Sequence, residues 1–161
     1  MIKEIALNKT KTLTIIGLTA IAVILPLISH TQSITGPLVN ACLFLAVILV
    51  GIEGALLVGL LPSTIALAFG IVPSLLLPIL PFIIISNALL VISFNAFKEN
   101  FLPAVLISSV LKFLFLFSVS SIIINLLKLP EKMASIFSWP QLLTALTGGL
   151  IAFLIIKIVK Q

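Results

Sequence analysis

The chain has 161 residues, of which 61% are apolar and only 8% are charged. Soluble domains are about 45–50% apolar and about 25% charged, so this chain has too little polar surface to cover a fold in water. The composition therefore predicts an integral membrane protein and excludes an enzyme or a nucleotide-binding module with its own aqueous fold. At about 20 apolar residues per span, a single membrane domain takes up residues 1–161.

The positions of the charges predict how often the chain crosses the membrane. Residues 12–52 and 54–97 carry no formal charge, and each run is long enough for two helices joined by a short turn. Residues 100–127 and 133–156 add one helix each. We therefore expect an all-α, compact bundle of six transmembrane helices. Their predicted bounds, in chain order, are 12–29, 37–51, 54–71, 78–97, 101–127 and 140–159.

The lysines predict the orientation of this bundle. All nine basic residues are Lys, and an even number of spans places both termini on one side. Six lysines then lie on the side of the termini and two on the opposite side: Lys3, Lys9, Lys11, Lys98, Lys157 and Lys160 against Lys128 and Lys132. By the positive-inside rule, we expect a multi-pass protein of the cell membrane with both termini in the cytoplasm. The net charge of +5 then reflects topology and attraction to anionic lipids, and no nucleic-acid partner is expected.

The connections between the predicted helices differ on the two sides of the membrane. On the cytoplasmic side they are tight turns, at residues 51–54 and 98–100. The outer connections are longer and rich in turn residues, which predicts a lid over the bundle. They are residues 30–36, 70–78 and 126–140.

Four polar or aromatic residues are placed where such a lid would contact a ligand. His30 and Gln32 lie in the first outer loop, and Trp139 and Gln141 lie at the start of the sixth helix. Trp139 also fits a second interpretation, as an aromatic anchor at the membrane interface.

Lys112 lies midway along the fifth predicted helix, where a charge is costly and function is the usual reason for it. An ammonium there needs an anion or a set of acceptors, and no Asp or Glu falls in the middle of a span. A ligand carboxylate or phosphate could supply the charge, or Lys112 could snorkel or make structural hydrogen bonds. Asn87 and Asn40 likewise have two possible interpretations, because amide side chains both contact ligands and join transmembrane helices.

Other kinds of chemistry lack the residues they need. The chain contains one His and no Asp, so we expect no metal site. It has no glycine-rich phosphate-binding motif, so it does not use ATP by itself. It has no plausible set of nucleophile, base and orienting acid, so we expect neither catalysis nor a cofactor.

Small residues form a second pattern, which indicates close helix packing. They recur every four residues on the third predicted helix and form a pair in the sixth, and most are expected to be internal packing seams. They are Gly51, Ala55, Gly59 and Ser63, with Gly148 and Gly149.

The order of these features resembles that of the substrate-binding S components of energy-coupling factor (ECF) transporters, over nearly the whole chain. The segments that carry the resemblance are residues 36–41, 51–55 with 59–61, 86–91, 111–115 and 141–149. The resemblance implies a six-helix fold with a pocket near the outer surface, built from helices 4 to 6 and loops 1, 3 and 5. It places Asn87, Lys112 and Gln141 around the ligand, with His30 and Gln32 above it.

The resemblance also implies partners. An S component docks on a transmembrane coupling subunit that carries two ATPases, commonly through small residues on helix 1. The corresponding residues here are Gly17, Ala20 and Ala22. A metal-binding member of the class would carry an N-terminal His, which this chain lacks.

The leading hypothesis is therefore a subunit that captures a vitamin or similar small organic micronutrient from outside and delivers it through an ATPase-driven partner. One alternative is a structural or assembly subunit of a larger membrane complex, in which Lys112 and the glycines make interhelical contacts. Another is a small stand-alone permease, although the chain shows neither a transporter repeat nor a filter sequence.

Overall fold

The computed structural model describes residues 2–29, 31–70, 77–128 and 137–159, without the side chains of residues 2–8, 32, 66, 124 and 127. These ranges contain helices and no strands, as expected for apolar segments that must satisfy their own backbone groups in lipid. Within them, five helices are long and apolar enough to span a membrane. They are α1 (Ile2–Ile28), α2 (Gln32–Ala68), α3 (Leu80–Phe97), α4 (Phe101–Leu127) and α5 (Trp139–Val159).

The bounds of α3, α4 and α5 lie within two residues of the sequence prediction. The helix α1 starts at Ile2, ten residues before its predicted start. Those ten residues include Lys, Glu, Ala and Leu, which favour helix regardless of whether lipid surrounds them. The first outer loop is also shorter than predicted, because α2 already begins at Gln32.

The predicted second and third helices form one assigned helix, α2, with a break at Gly51. Gly51 has φ 85° and ψ −179°, a conformation essentially restricted to glycine. The chain folds back there: a Cβ on Gly59 would lie 3.4 Å from Cδ2 of Leu43. In a straight helix these two residues would be about 24 Å apart along the axis. The two halves of α2 therefore pack side by side in opposite directions.

The helices meet in a bundle with two distinct ends. We call the end that contains Gly51 and the turn at residues 98–100 the turn end, and the opposite end the loop end. Phe94 and Phe101 contact each other across the turn at residues 98–100. At the start of the second half of α2, Gly54 lies against Ile15 of α1. The first half of α2 and α5 run in the same direction, away from the loop end.

Small residues bring these helices into close contact, in line with the predicted packing seams. A Cβ on Gly148 of α5 would lie 2.6 Å from the carbonyl oxygen of Pro37 in α2. The neighbouring Gly149 lies against Val105 of α4. Ala55 of α2 is fully buried. These contacts leave α1 as the least buried of the five spans.

Candidate ligand-binding cavity

A cavity of about 270 Å³ lies toward the loop end of the bundle. Its wall comes from α1, both halves of α2 and α3, with one residue each from α4 and α5. Most of the wall is apolar, but polar side chains converge on it. The polar side chains are Thr35, Asn40, Ser63, Asn87, Lys112 and Gln141.

Lys112 is held at the cavity by two asparagines from different helices. Its Nζ donates to Oδ1 of Asn40 at 2.7 Å and to Oδ1 of Asn87 at 2.8 Å. All three side chains are buried, and Lys112 is only 4% exposed. The amine therefore links α2, α3 and α4 in one hydrogen-bonded group. Of the interpretations left open by the sequence, structural hydrogen bonding by Lys112 is thus observed, while a ligand contact stays a prediction.

Gly148 allows this arrangement because it lets α5 approach Asn40 closely, whereas a side chain at Gly59 would meet Asn87 only at an ordinary van der Waals distance. A Cβ on Gly148 would lie 2.7 Å from Cβ of Asn40, and one on Gly59 would lie 3.6 Å from Cβ of Asn87. Asn40 is oriented further by its own helix, since its Nδ2 donates to the carbonyl oxygen of Gly36 at 2.9 Å. That bond turns Oδ1 of Asn40 toward Lys112.

The group leaves several donors without a partner in the described part of the chain. An ammonium has three donors, and Lys112 uses two of them. The Nδ2 of Asn87 makes no hydrogen bond to a described residue, and this atom is not completely enclosed by protein. The hydroxyl of Ser63 is likewise unpartnered. The cavity wall therefore offers unused hydrogen-bond donors.

The charge of Lys112 has no counter-ion in the described wall of the cavity. The two partners of Nζ are neutral amide oxygens, and no lining residue is Asp or Glu. Of the chain's four acidic residues, Glu53 borders a separate groove and Glu99 is exposed at the turn end. A site with one positive charge and free donors favours an anionic or acceptor-rich ligand.

The structure brings four of the seven predicted ligand-binding residues to this cavity: Lys112, Asn87, Asn40 and Gln141. His30 lies outside the described residues, as does the side chain of Gln32. Trp139 does not line the cavity. It is 66% exposed and stacks on Phe113, with ring centroids 5.3 Å apart, as expected for an interfacial anchor.

The position of the cavity differs from the pocket that the family resemblance implied. That pocket would lie between the last three helices, whereas this cavity also opens against α1 and both halves of α2. The lining residues that were not predicted to bind a ligand are Ala22, Val23, Pro26, Leu27, Thr35, Gly36, Val39, Val58, Gly59, Pro62, Ser63, Leu80 and Ile83. The sequence feature that these residues share is helical spacing: Ala22 and Pro26, for example, are four residues apart and lie on one face of α1.

The predicted docking residues on α1 do not share one face. Gly17 is exposed, with nothing within 4 Å of an added Cβ, and Ala20 is half-buried. Ala22 is 1% exposed and lines the cavity. The side chain of Ala22 therefore faces the interior of the bundle, and a contact of α1 with a partner stays a prediction.

Comparison with known proteins identifies no relative for this chain. No family model matches it, and neither does any curated protein or any solved structure. The class that the observations define is thus a multi-pass helical membrane protein with a mostly apolar cavity that a buried lysine and two asparagines border.

Proposed function

We propose that the chain is the membrane-embedded substrate-binding subunit of an ECF-type importer. In this proposal it captures a vitamin or similar small organic micronutrient from outside. It then delivers the molecule through a transmembrane coupling subunit and two ATPases. The protein itself performs no catalysis.

The proposed topology has six spans, with both termini in the cytoplasm. The reversal of α2 at Gly51 supports six spans, because each half of α2 then crosses the membrane once. Lys98 in the turn after α3 and Lys157 in the last turn of α5 lie toward the turn end. The positive-inside rule makes that end cytoplasmic, so the cavity lies toward the outer surface, where a substrate arrives.

The observation that carries this proposal is the cavity around Lys112. A lysine that served packing alone would need no adjoining space, yet this one borders about 270 Å³ together with unpartnered donors. Ligand pockets are mostly apolar with a few convergent polar groups, and this cavity has that composition. An intramembrane ionisable residue with no counter-ion is a functional-site candidate for the same reason.

The test is binding by the purified protein in lipid nanodiscs. Native mass spectrometry of the protein with its carried-over small molecules is expected to reveal one bound compound. Lys112→Ala and Asn87→Ala are expected to weaken its binding at least about tenfold, the effect of losing a hydrogen bond to a charged group. Lys98→Ala is the matched control, because Lys98 is exposed at the turn end and its only hydrogen-bond partner among the described side chains is Asn95. Unchanged affinity in both cavity variants would contradict the proposed site.

A second candidate function is a structural or assembly subunit of a larger membrane complex. The observation that favours it is the bridge from Lys112 to Asn40 and Asn87, which joins three helices by itself. Under this alternative the purified protein binds no micronutrient. It instead co-purifies at fixed stoichiometry with a complex that lacks ATPases.

A further inference from the structure

We propose that the cavity binds a small molecule with a single anionic group, of the carboxylate type, for which Lys112 is the counter-ion. This inference rests on the proposed function, because it names the substrate class of the same cavity. The inference specifies the sign of the ligand's charge and the number of its charges, which a binding role alone does not specify.

Charge balance is the first argument. Lys112 is buried among apolar residues, and both of its described partners are neutral amides. Amide oxygens satisfy hydrogen bonds but leave the positive charge uncompensated. A buried charge is stabilised when an opposite charge pairs with it, and the described cavity wall supplies none. A ligand anion would complete the pair, whereas a cationic ligand would add a like charge.

The free donors are the second argument. A carboxylate offers two oxygens with about four acceptor positions. Around the cavity, one N–H of Lys112, the Nδ2 of Asn87 and the hydroxyl of Ser63 have no hydrogen-bond partner among the residues that the structure describes. These groups come from α4, α3 and the second half of α2. Three elements therefore present donors to one space, and a ligand with several acceptor positions uses them.

The number of charges on the ligand follows from the single lysine. A carboxylate carries one negative charge, which one ammonium neutralises. A phosphate dianion would leave a net negative charge inside the bundle, where an unpaired ion is strongly disfavoured. The cavity volume of about 270 Å³ lies just below the range of about 300–1,000 Å³ for drug-sized ligands. The ligand is accordingly a small monocarboxylate and not a nucleotide or a phosphorylated cofactor.

The experiment compares matched probes on the purified protein in nanodiscs, alongside identification of any carried-over compound by native mass spectrometry. The probes are pairs of nearly the same size and shape in which a neutral carboxamide replaces the carboxylate: benzoate and benzamide, nicotinate and nicotinamide, hexanoate and hexanamide. Phenyl phosphate serves as the dianion. We expect at least one carboxylate to raise the thermal unfolding temperature, while its amide and phenyl phosphate do not. A carried-over compound is expected to contain one carboxylate.

Two variants test the role of Lys112 in a way that does not depend on loss of folding. Asn87→Asp places a protein carboxylate beside the ammonium with almost no change in shape. It is expected to keep the fold and to weaken carboxylate binding at least about tenfold, since the lysine then has an internal counter-ion. Lys112→Met removes the charge and is expected to weaken it by a similar factor.

The chain supplies a matched control for each variant. Asn95 and Lys98 form a second Asn–Lys pair on the exposed turn end, with Lys98 Nζ donating to Oδ1 of Asn95 at 3.0 Å. Asn95→Asp and Lys98→Met therefore make the same chemical changes away from the cavity. Both are expected to bind carboxylates as the unaltered protein does.

Each result has a defined meaning. An uncharged, cationic or doubly anionic ligand that binds better than the carboxylate overturns this inference and leaves the proposed function standing. Carboxylate binding that survives both Asn87→Asp and Lys112→Met overturns it as well. If no compound is carried over and no probe stabilises the protein, both the inference and the proposed function fail.

Discussion

The turn end and the loop end of the bundle are built on the same helices but differ in what fills the space between them. Toward the turn end, aromatic rings contact one another in series, with centroid distances of 4.8 Å, 5.2 Å and 5.5 Å, from Phe44 through Phe94 and Phe101 to Phe153. Toward the loop end lies the cavity with its buried amine. Tight turns hold the helices together at the filled end, which lets the other end keep space and polar groups.

This difference suggests a division of tasks within one small domain. Phe44 and Phe94 are fully buried. Such packing supplies stability because each ring makes a large apolar contact area with its neighbours. The buried polar group at Lys112 supplies little net stability, since desolvation offsets much of its hydrogen bonding. Substitutions at the two ends should therefore separate stability from binding.

The largest expected effect is that of Phe94→Ala, which removes the central ring of the aromatic series. Truncation of a fully buried phenylalanine to alanine lowers the free energy of unfolding by about 3–5 kcal/mol. The matched control is Phe97→Ala on the same helix, because Phe97 is about half exposed and should lose less than about 1 kcal/mol. Equilibrium unfolding in mixed micelles measures both. Equal losses would show that the turn end is not the stabilising half.

An intermediate effect is expected for Gly51→Ala at the reversal of α2. A residue with a Cβ is strained at φ 85°, at a cost of about 1–3 kcal/mol. Gly17→Ala is the control, because Gly17 lies in the regular helix α1 with open space around it. There alanine is expected to be neutral or slightly stabilising. The same unfolding assay applies, and an undisturbed Gly51→Ala protein would mean that the turn does not depend on glycine.

The smallest effect on stability is expected for Ala22→Leu, which places a larger side chain in the cavity. Overpacking a filled core costs about 1–3 kcal/mol, but here the side chain enters existing space, so we expect a loss below about 1 kcal/mol. Binding of the carried-over compound should nevertheless disappear. Ala96→Leu, at an exposed position of α3, is expected to change neither property. Full binding by Ala22→Leu would separate the ligand site from this cavity.

The sequence by itself determined the membrane class and most helix bounds, because long uncharged runs have few alternatives to helix in lipid. It also singled out Lys112, Asn87 and Asn40, since polar groups inside apolar spans are costly, and Gln141, because it lies at the start of a span beside a predicted outer loop. Their residue types alone set the available charge and hydrogen-bonding chemistry.

Tertiary structure decided which of these residues meet and where the space lies. Asn40 and Lys112 are 72 positions apart in the chain, and no helical periodicity predicts that they share a hydrogen bond. Sequence patterns also could not reveal that Ala22 faces the cavity while Trp139 lies outside it. The wall of the cavity also depends on the close approach that Gly148 permits between α5 and α2. The apolar composition of each helix favours lipid as its surroundings, but only packing between distant segments determines the volume of the cavity between the helices.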